Sequence, residues 1–267
     1  RLNLNTANAL TFKSFASGGY GPNNYSWGGT TTGELEELII NADIFNNTKK
    51  IQASSSSTVS IFRNTHIKKL IILDGKASHK LDISTNDSGL LGSTNSAGME
   101  NVIIDDGITE LGTKSLYSLD IKSITLPNTI ATIGNYAFSG NQLTSLTIPT
   151  SVKTIGSNAF ESNKLTSLTI PSSIETIGSF AFNYNELSTI NFEPNSNLKT
   201  IGTYTFQSNK LTNTGLGKLP SSLTSLATNA FSNNPDLTQI TLTSPKDLEG
   251  WPNGGTTADG VKVVYER

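Results

Sequence analysis

The chain has 267 residues with 19 basic and 21 acidic side chains, a formal net charge of −2 that gives no general pull toward nucleic acid or anionic membrane. Charged residues make up only 15%, so Asn, Ser, Thr and Gly must supply most of the surface polarity. There is no cysteine, which excludes disulfides, thiolate metal sites and cysteine nucleophiles, and no apolar run approaches the ~18 residues of a membrane-spanning helix.

Residues 1–34, rich in Gly and Asn, read as an N-terminal cap; the first is Arg1 rather than Met, as in a mature or trimmed piece of an exported protein. Strand-like starts follow at Leu35 (LEELIINADI), Ile67 (IKKLIILDGK) and Met99 (MENVIIDDGI), each 32 residues from its neighbour. That spacing makes residues 35–98 irregular lead-in repeats of the same sheet.

Residues 99–242 form the regular array. LTSLTIPTSVKTIGSNAFESNK starts at Leu143 and LTSLTIPSSIETIGSFAFNYNE at Leu165, and the 22-residue spacing also relates Met99, Ile121 and Leu187. Longer turns begin at Leu211 and Leu237, after 24 and 26 residues; the extra residues sit near Asn195, around Gly215–Lys218 and at Pro235. These are loop positions, where insertion costs little.

Within a turn, Leu146 and Ile148 alternate with Ser145 and Thr147, the period of a half-buried strand. Pro149 ends that strand, because it cannot donate a ladder hydrogen bond. Val152, Ile155 and Phe160 are inward anchors of the return leg, and Gly156 marks a tight turn or a positive φ. The return is too short for a long helix, so short 3₁₀ or irregular structure is expected. One turn cannot bury enough apolar surface to fold alone, and the turns must stack.

Stacking converts each repeat position into a column. Phe138, Phe160, Phe182, Phe206 and Phe231 should form an aromatic spine. Pro127, Pro149, Pro171, Pro194 and Pro220 should line one corner, and Gly112, Gly134, Gly156, Gly178 and Gly202 another, with Ala227 in the last full turn. Residues 243–267 read as a C-terminal cap, with Val261–Tyr265 as a last strand after the loop containing Trp251.

The I-P-x-x-I-x-x-I-G-x-x-A-F core of Ile170–Phe182 resembles the BspA-like, or Treponema pallidum-type, leucine-rich repeats. The resemblance covers residues 99–242 well and 35–98 loosely. Ser151 and Ser173 stand where the generic leucine-rich pattern has Asn or Cys, and Asn163, Asn185 and Asn209 stand where BspA-like repeats often have Cys. The resemblance implies a β-rich, right-handed superhelix with a parallel sheet on its concave face. For many members it also implies a secreted or surface-anchored bacterial protein, some of which adhere to host matrix proteins or other bacteria. These residues hold no cell-wall sorting signal, so any anchor is expected elsewhere.

The outward positions of the concave strands are the candidate ligand-binding residues: Ser123, Thr125, Ser145, Thr147, Ser167, Thr169, Thr189, Asn191, Gln239 and Thr241. They form a neutral hydroxyl and amide surface suited to protein or glycan contact, or one that only solvates the sheet. Binding hot spots favour Trp, Tyr and Arg, which this face lacks, so an edge or loop is the other place for a ligand. The column Asn141, Asn163, Asn185 and Asn209 is read as satisfying turn backbone groups. Outside the spine, Tyr20, Tyr25 and Trp27 near the start and Trp251 near the end are the aromatics singled out, for cap packing or sugar stacking.

Catalysis has little to work with. His66 and His79 are the two histidines, and no metalloprotease, serine-elbow, phosphate-loop or dinucleotide motif occurs. Asp82–Gly89 resembles a calcium loop, but Ser93 holds the place of its bidentate Glu. Asp105-Asp106-Gly107 reads as a polar corner. The expectation is a monomeric, non-enzymatic module that uses no cofactor and no metal. It binds a protein or glycan at a cell surface or in extracellular matrix, as an adhesion or interaction module. The alternatives are a carbohydrate-binding module of a larger secreted protein and a structural spacer.

Overall fold

The computed structural model describes residues 2–3, 33–35, 38–41, 65–73, 80–81, 99–243, 248, 250–251, 253–257 and 259–266. Alternating apolar side chains build the main sheet, whose strands are all parallel. Leu2–Asn3, Leu38–Asn41, Thr65–Leu73, Met99–Ile104 and Ser123–Thr125 pair in that order, and Val102 lies in register between Leu70 and Ile124. Ser167–Ile170 pairs with Thr189–Phe192, and Gln239–Leu242 lies between Lys218–Leu219 and Lys262–Tyr265. Ile67 pairs with both Leu35 and Met99 in the same parallel sheet.

The return leg is more ordered than irregular. Its Thr-Ile pairs form a second parallel ladder, from Lys80–Leu81 through Glu110–Leu111, Thr132–Ile133, Thr154–Ile155, Thr176–Ile177 and Thr200–Ile201 to Ser225–Leu226. Consecutive turns supply its seven strands, so the chain is a parallel β-solenoid of about seven turns. No 3₁₀ segment occurs among the described residues. β-branched Thr and Ile fit a pleated surface, and each inward Ile packs while its Thr partner faces outward.

Between the two ladders runs one continuous core, from Leu70 to Tyr265. The phenylalanine spine is present as expected. Phe138, Phe160, Phe182, Phe206 and Phe231 stack with ring centroids 5.1–5.6 Å apart and interplanar angles of 6–13°. The glycine corner has a different cause from the one the sequence suggests. Gly156 keeps a negative φ; a Cβ there would lie 2.7 Å from the Asn135 backbone nitrogen and 2.8 Å from the Gly134 carbonyl carbon. Glycine is required because two turns of backbone touch.

Positive φ falls instead on residues that carry side chains. Lys114, Tyr136, Asn158, Phe180 and Tyr204 occupy one such column, at φ 55–59°. Ser118, Ser162, Tyr184, Ser208 and Asn233 occupy another, at φ 50–57°. Gly140 is the glycine of that second column, at φ 72°.

Candidate functional site

The main-sheet face carries the ten outward positions named from sequence, but the structure breaks them into separate groups. Ser167 sits beside Thr189, and Thr169 beside Asn191, all exposed. Ser123 and Thr125 lie beside Asn101 and Ile103. Ser145 and Thr147 are exposed, yet residues 143–149 form no strand pairing with either neighbour. Gln239 and Thr241 are half-buried and lie on a different sheet segment, beside Lys262 and Val264.

The insertion read at Gly215–Lys218 explains the second break. The single-turn helix Asn213–Leu216, capped by the Thr212 hydroxyl on Gly215 N–H, packs between Thr189–Phe192 and Gln239–Leu242. Its Asn213 side chain accepts from Thr238 and Gln239 N–H at 2.8 and 2.9 Å and donates to the Thr238 hydroxyl. The outward face is thus several short patches. Part of its polarity is used internally, since the Ser123 hydroxyl donates to the Glu100 carbonyl at 3.1 Å.

The asparagine column serves the backbone. In Asn163, Oδ1 accepts from Leu143 N–H while Nδ2 donates to the Phe138 and Phe160 carbonyls; Asn141, Asn185 and Asn209 repeat the arrangement. Asn234 continues the column, hidden from the sequence reading by the longer turn before it. Ser151 and Ser173 donate to the Ile130 and Val152 carbonyls one turn earlier, at 2.7 and 2.8 Å. These residues close the stack and present nothing to a ligand.

Trp251 is fully buried, with its Nε1 donating to the Leu226 carbonyl at 2.8 Å, so it offers no ring to a sugar. The strand expected at the C-terminal end spans Lys262–Tyr265, and residues 253–255 hydrogen-bond its outer edge. The Asp105–Gly107 corner is a tight turn in which Asp106 N–H donates to the Asp105 carboxylate. Tyr20, Tyr25, Trp27, His79 and the Asp82–Gly89 segment lie outside the described residues.

Further aromatic side chains lie in the middle of the array, apart from the terminal ones singled out in the sequence. Phe180 stacks on Tyr204 with centroids 5.1 Å apart and planes 30° apart. One end of the column has Tyr117 edge-on to Tyr136 at 6.5 Å, with the Lys114 ammonium 5.7 Å from the Tyr117 ring. Among the described residues, Tyr117 and Tyr184 are the exposed large hydrophobic residues, at 39% and 60%. Between Tyr136 and Phe180 the column holds Asn158, whose amide donates to Glu161 at 2.7 Å; Asn183 donates to the same carboxylate.

This column was visible in the repeats, because Tyr136, Phe180 and Tyr204 all stand two residues before a spine Phe. What the sequence concealed is the backbone. Tyr136, Phe180, Tyr184 and Tyr204 all sit in the left-handed region, which costs roughly 1–2 kcal/mol for an L-residue and which Asn tolerates better. Asn158 shows that the position accepts Asn. Repeat copying does not account for aromatic residues at three of the five places.

Electrostatics on this side are mild. Glu186 has its pKa lowered by a 2.7 Å hydrogen bond from Lys210 and by that lysine's charge. Among the described residues no three His, Asp or Glu side chains converge as a metal site would require. No helix among them is long and apolar enough to cross a membrane.

Comparison with known proteins agrees with the repeat reading. A family model for the BspA type leucine-rich repeat region matches residues 94–213 and 194–249, in 6 copies. Among solved structures, a leucine-rich repeat protein from Bacteroides ovatus ATCC 8483 aligns over 91% of this chain and 69% of its own, with 18% identity and a TM-score of 0.43. A search of curated proteins found no match. With matched segments running from residue 94 to 249, more than half of its length, the chain belongs to the BspA-type leucine-rich repeat family.

Proposed function

We propose that this chain is a protein-interaction module of a bacterial cell surface, serving adhesion to a host or neighbouring-cell protein without a cofactor. The observation that carries the reading is the set of outer aromatic residues: the column Tyr136, Phe180 and Tyr204, with the exposed Tyr117 and Tyr184 at other repeat positions. Tyr is enriched among interface hot spots, and aromatic residues hold left-handed positions that the repeat elsewhere fills with Asn or Ser.

The test is a binding screen of this chain against matrix proteins and a glycan array, repeated with two variants. Tyr136→Asn, Phe180→Asn and Tyr204→Asn together remove the column while copying the natural Asn158. Ser145→Glu, Ser167→Glu and Thr189→Glu together charge the sheet face. Loss of a protein partner in the first variant and its retention in the second supports the reading. The reverse pattern moves the site to the hydroxyl patches, and saturable glycan binding lost in the second variant favours the carbohydrate-module alternative. If both variants bind as the parent does, neither surface is the site.

A further inference from the structure

The last corner turn of the column keeps its conformation, and no further turn of that form follows it among the described residues. In five consecutive turns, the N–H at the spine position and the N–H two residues later both donate to carbonyls of the next turn. Leu116 and Ser118 donate to Ala137 and Ser139, Phe138 and Gly140 to Ala159 and Glu161, and so on to Phe206 and Ser208, which donate to Ala230 and Ser232; all lie at 2.7–3.1 Å. In the sixth turn Phe231 and Asn233 hold these positions, and Asn233 retains the left-handed φ of 55°. Among the described residues no acceptor meets either N–H.

A pocket of about 540 Å³ opens at this place, with Phe231, Asn233, Pro235, Thr238, Asp259 and Val261 among its walls. Asp259 is the charged residue of the lining. In the same turn, the buried Asn229 Oδ1 has no hydrogen-bond partner. Residues 253–255 cover the edge of the neighbouring strand Lys262–Tyr265 but leave this corner open.

We propose that this end pocket takes a segment of a partner polypeptide folded in the turn conformation of residues 203–208, which adds itself to the stack as the next turn would. Two of its carbonyls, two residues apart, accept from Phe231 and Asn233 N–H. A Lys or Arg side chain on it pairs with Asp259. Five turns show which chain geometry satisfies this donor pair: a turn closed on itself, as where Ser139 N–H donates to the Tyr136 carbonyl and Gln207 N–H to that of Tyr204. A small anion fits less well, because it offers no pair of carbonyls two residues apart and meets the Asp259 charge. The inference rests on the reading that the chain binds protein, but at a site separate from the aromatic column.

The experiment uses the full chain with ¹⁵N-labelled Phe and Asn, and a synthetic peptide copying residues 199–210, KTIGTYTFQSNK. In the chain itself the Thr205 and Gln207 carbonyls of this segment accept from Phe182 and Tyr184, the equivalent donor pair two turns before Phe231 and Asn233. Saturable shifts of the Phe231 and Asn233 amides, with slowed hydrogen exchange, are expected. Asp259→Lys should weaken binding about tenfold, and Thr238→Trp, which fills the pocket, should abolish it. The triple Asn variant of the aromatic column should bind the peptide unchanged, so failure of that reading is distinguishable from failure of this one. Four results would overturn the proposal: no shift at these two amides, equal shifts with acetate alone, Phe231 and Asn233 already as protected in the free chain as Phe206 and Ser208, or undiminished binding in both pocket variants.

Discussion

The side-chain amide of Asn163 donates to the carbonyl of Phe138, one full turn earlier, at 2.9 Å, while its own Oδ1 accepts from Leu143 N–H at 3.1 Å. One residue thus closes two buried backbone groups that the turn geometry leaves open. Each such group costs about 1–3 kcal/mol when left unpaired. Asn163→Ala should therefore destabilise the chain by about 2–4 kcal/mol, read as a lower urea midpoint. A loss under about 0.5 kcal/mol, the size of an ordinary surface substitution, would contradict this role.

Gly156→Ala tests why the glycine column exists. The added Cβ meets backbone atoms of Gly134 and Asn135 under 3.0 Å, and backbone cannot rotate aside. A cost of about 1–3 kcal/mol is expected, as for overpacking elsewhere. A loss under about 0.5 kcal/mol, the size of an ordinary surface substitution, would contradict the close-approach account.

Tyr184→Asn should raise stability by about 0.5–1 kcal/mol, because Asn relieves the left-handed strain and a ring that is 60% exposed gives up little burial. Thermal or urea unfolding reads this directly. A protein partner that contacts Tyr184 beside the aromatic column should be held less tightly by the same variant. A stabilised variant with undiminished partner binding would leave the strain at Tyr184 without a function.

Lys210→Ala should return the Glu186 carboxyl to the ordinary range, since the Lys210 hydrogen bond and charge are what lower it. A carboxyl with a lowered folded pKa adds stability above its unfolded pKa and loses it as pH falls through the folded value. The Lys210 pair should thus matter near neutral pH and vanish in acid. Because the pair is exposed, salt should screen it. An NMR titration of Glu186 in both proteins checks the shift, and an unchanged midpoint would sink the assignment.

The columns were legible in the sequence because each rests on a fixed chain spacing. Once Leu143 and Leu165 are seen to start equivalent turns, Phe160 must stack on Phe182 and Asn163 must sit above Asn141, whatever the rest of the chain does. Parallel stacking needs no long-range information beyond the period, and the period is local. Asn234 escaped only because the turn before it is longer.

What only the tertiary structure decided is set by how near one turn comes to the next. The Gly156 position is small because of the Gly134 backbone behind it, not because of its own φ. Tyr136, Phe180 and Tyr204 became a candidate surface once their left-handed backbone was seen, and neither their spacing nor their chemistry reveals that conformation. The helix Asn213–Leu216 divides an outward face that reads as continuous in sequence, because a few inserted residues can replace a strand without disturbing the spine. The free N–H groups of Phe231 and Asn233 are visible only where stacking stops, since hydrogen-bond satisfaction belongs to pairs of turns and never to one turn alone.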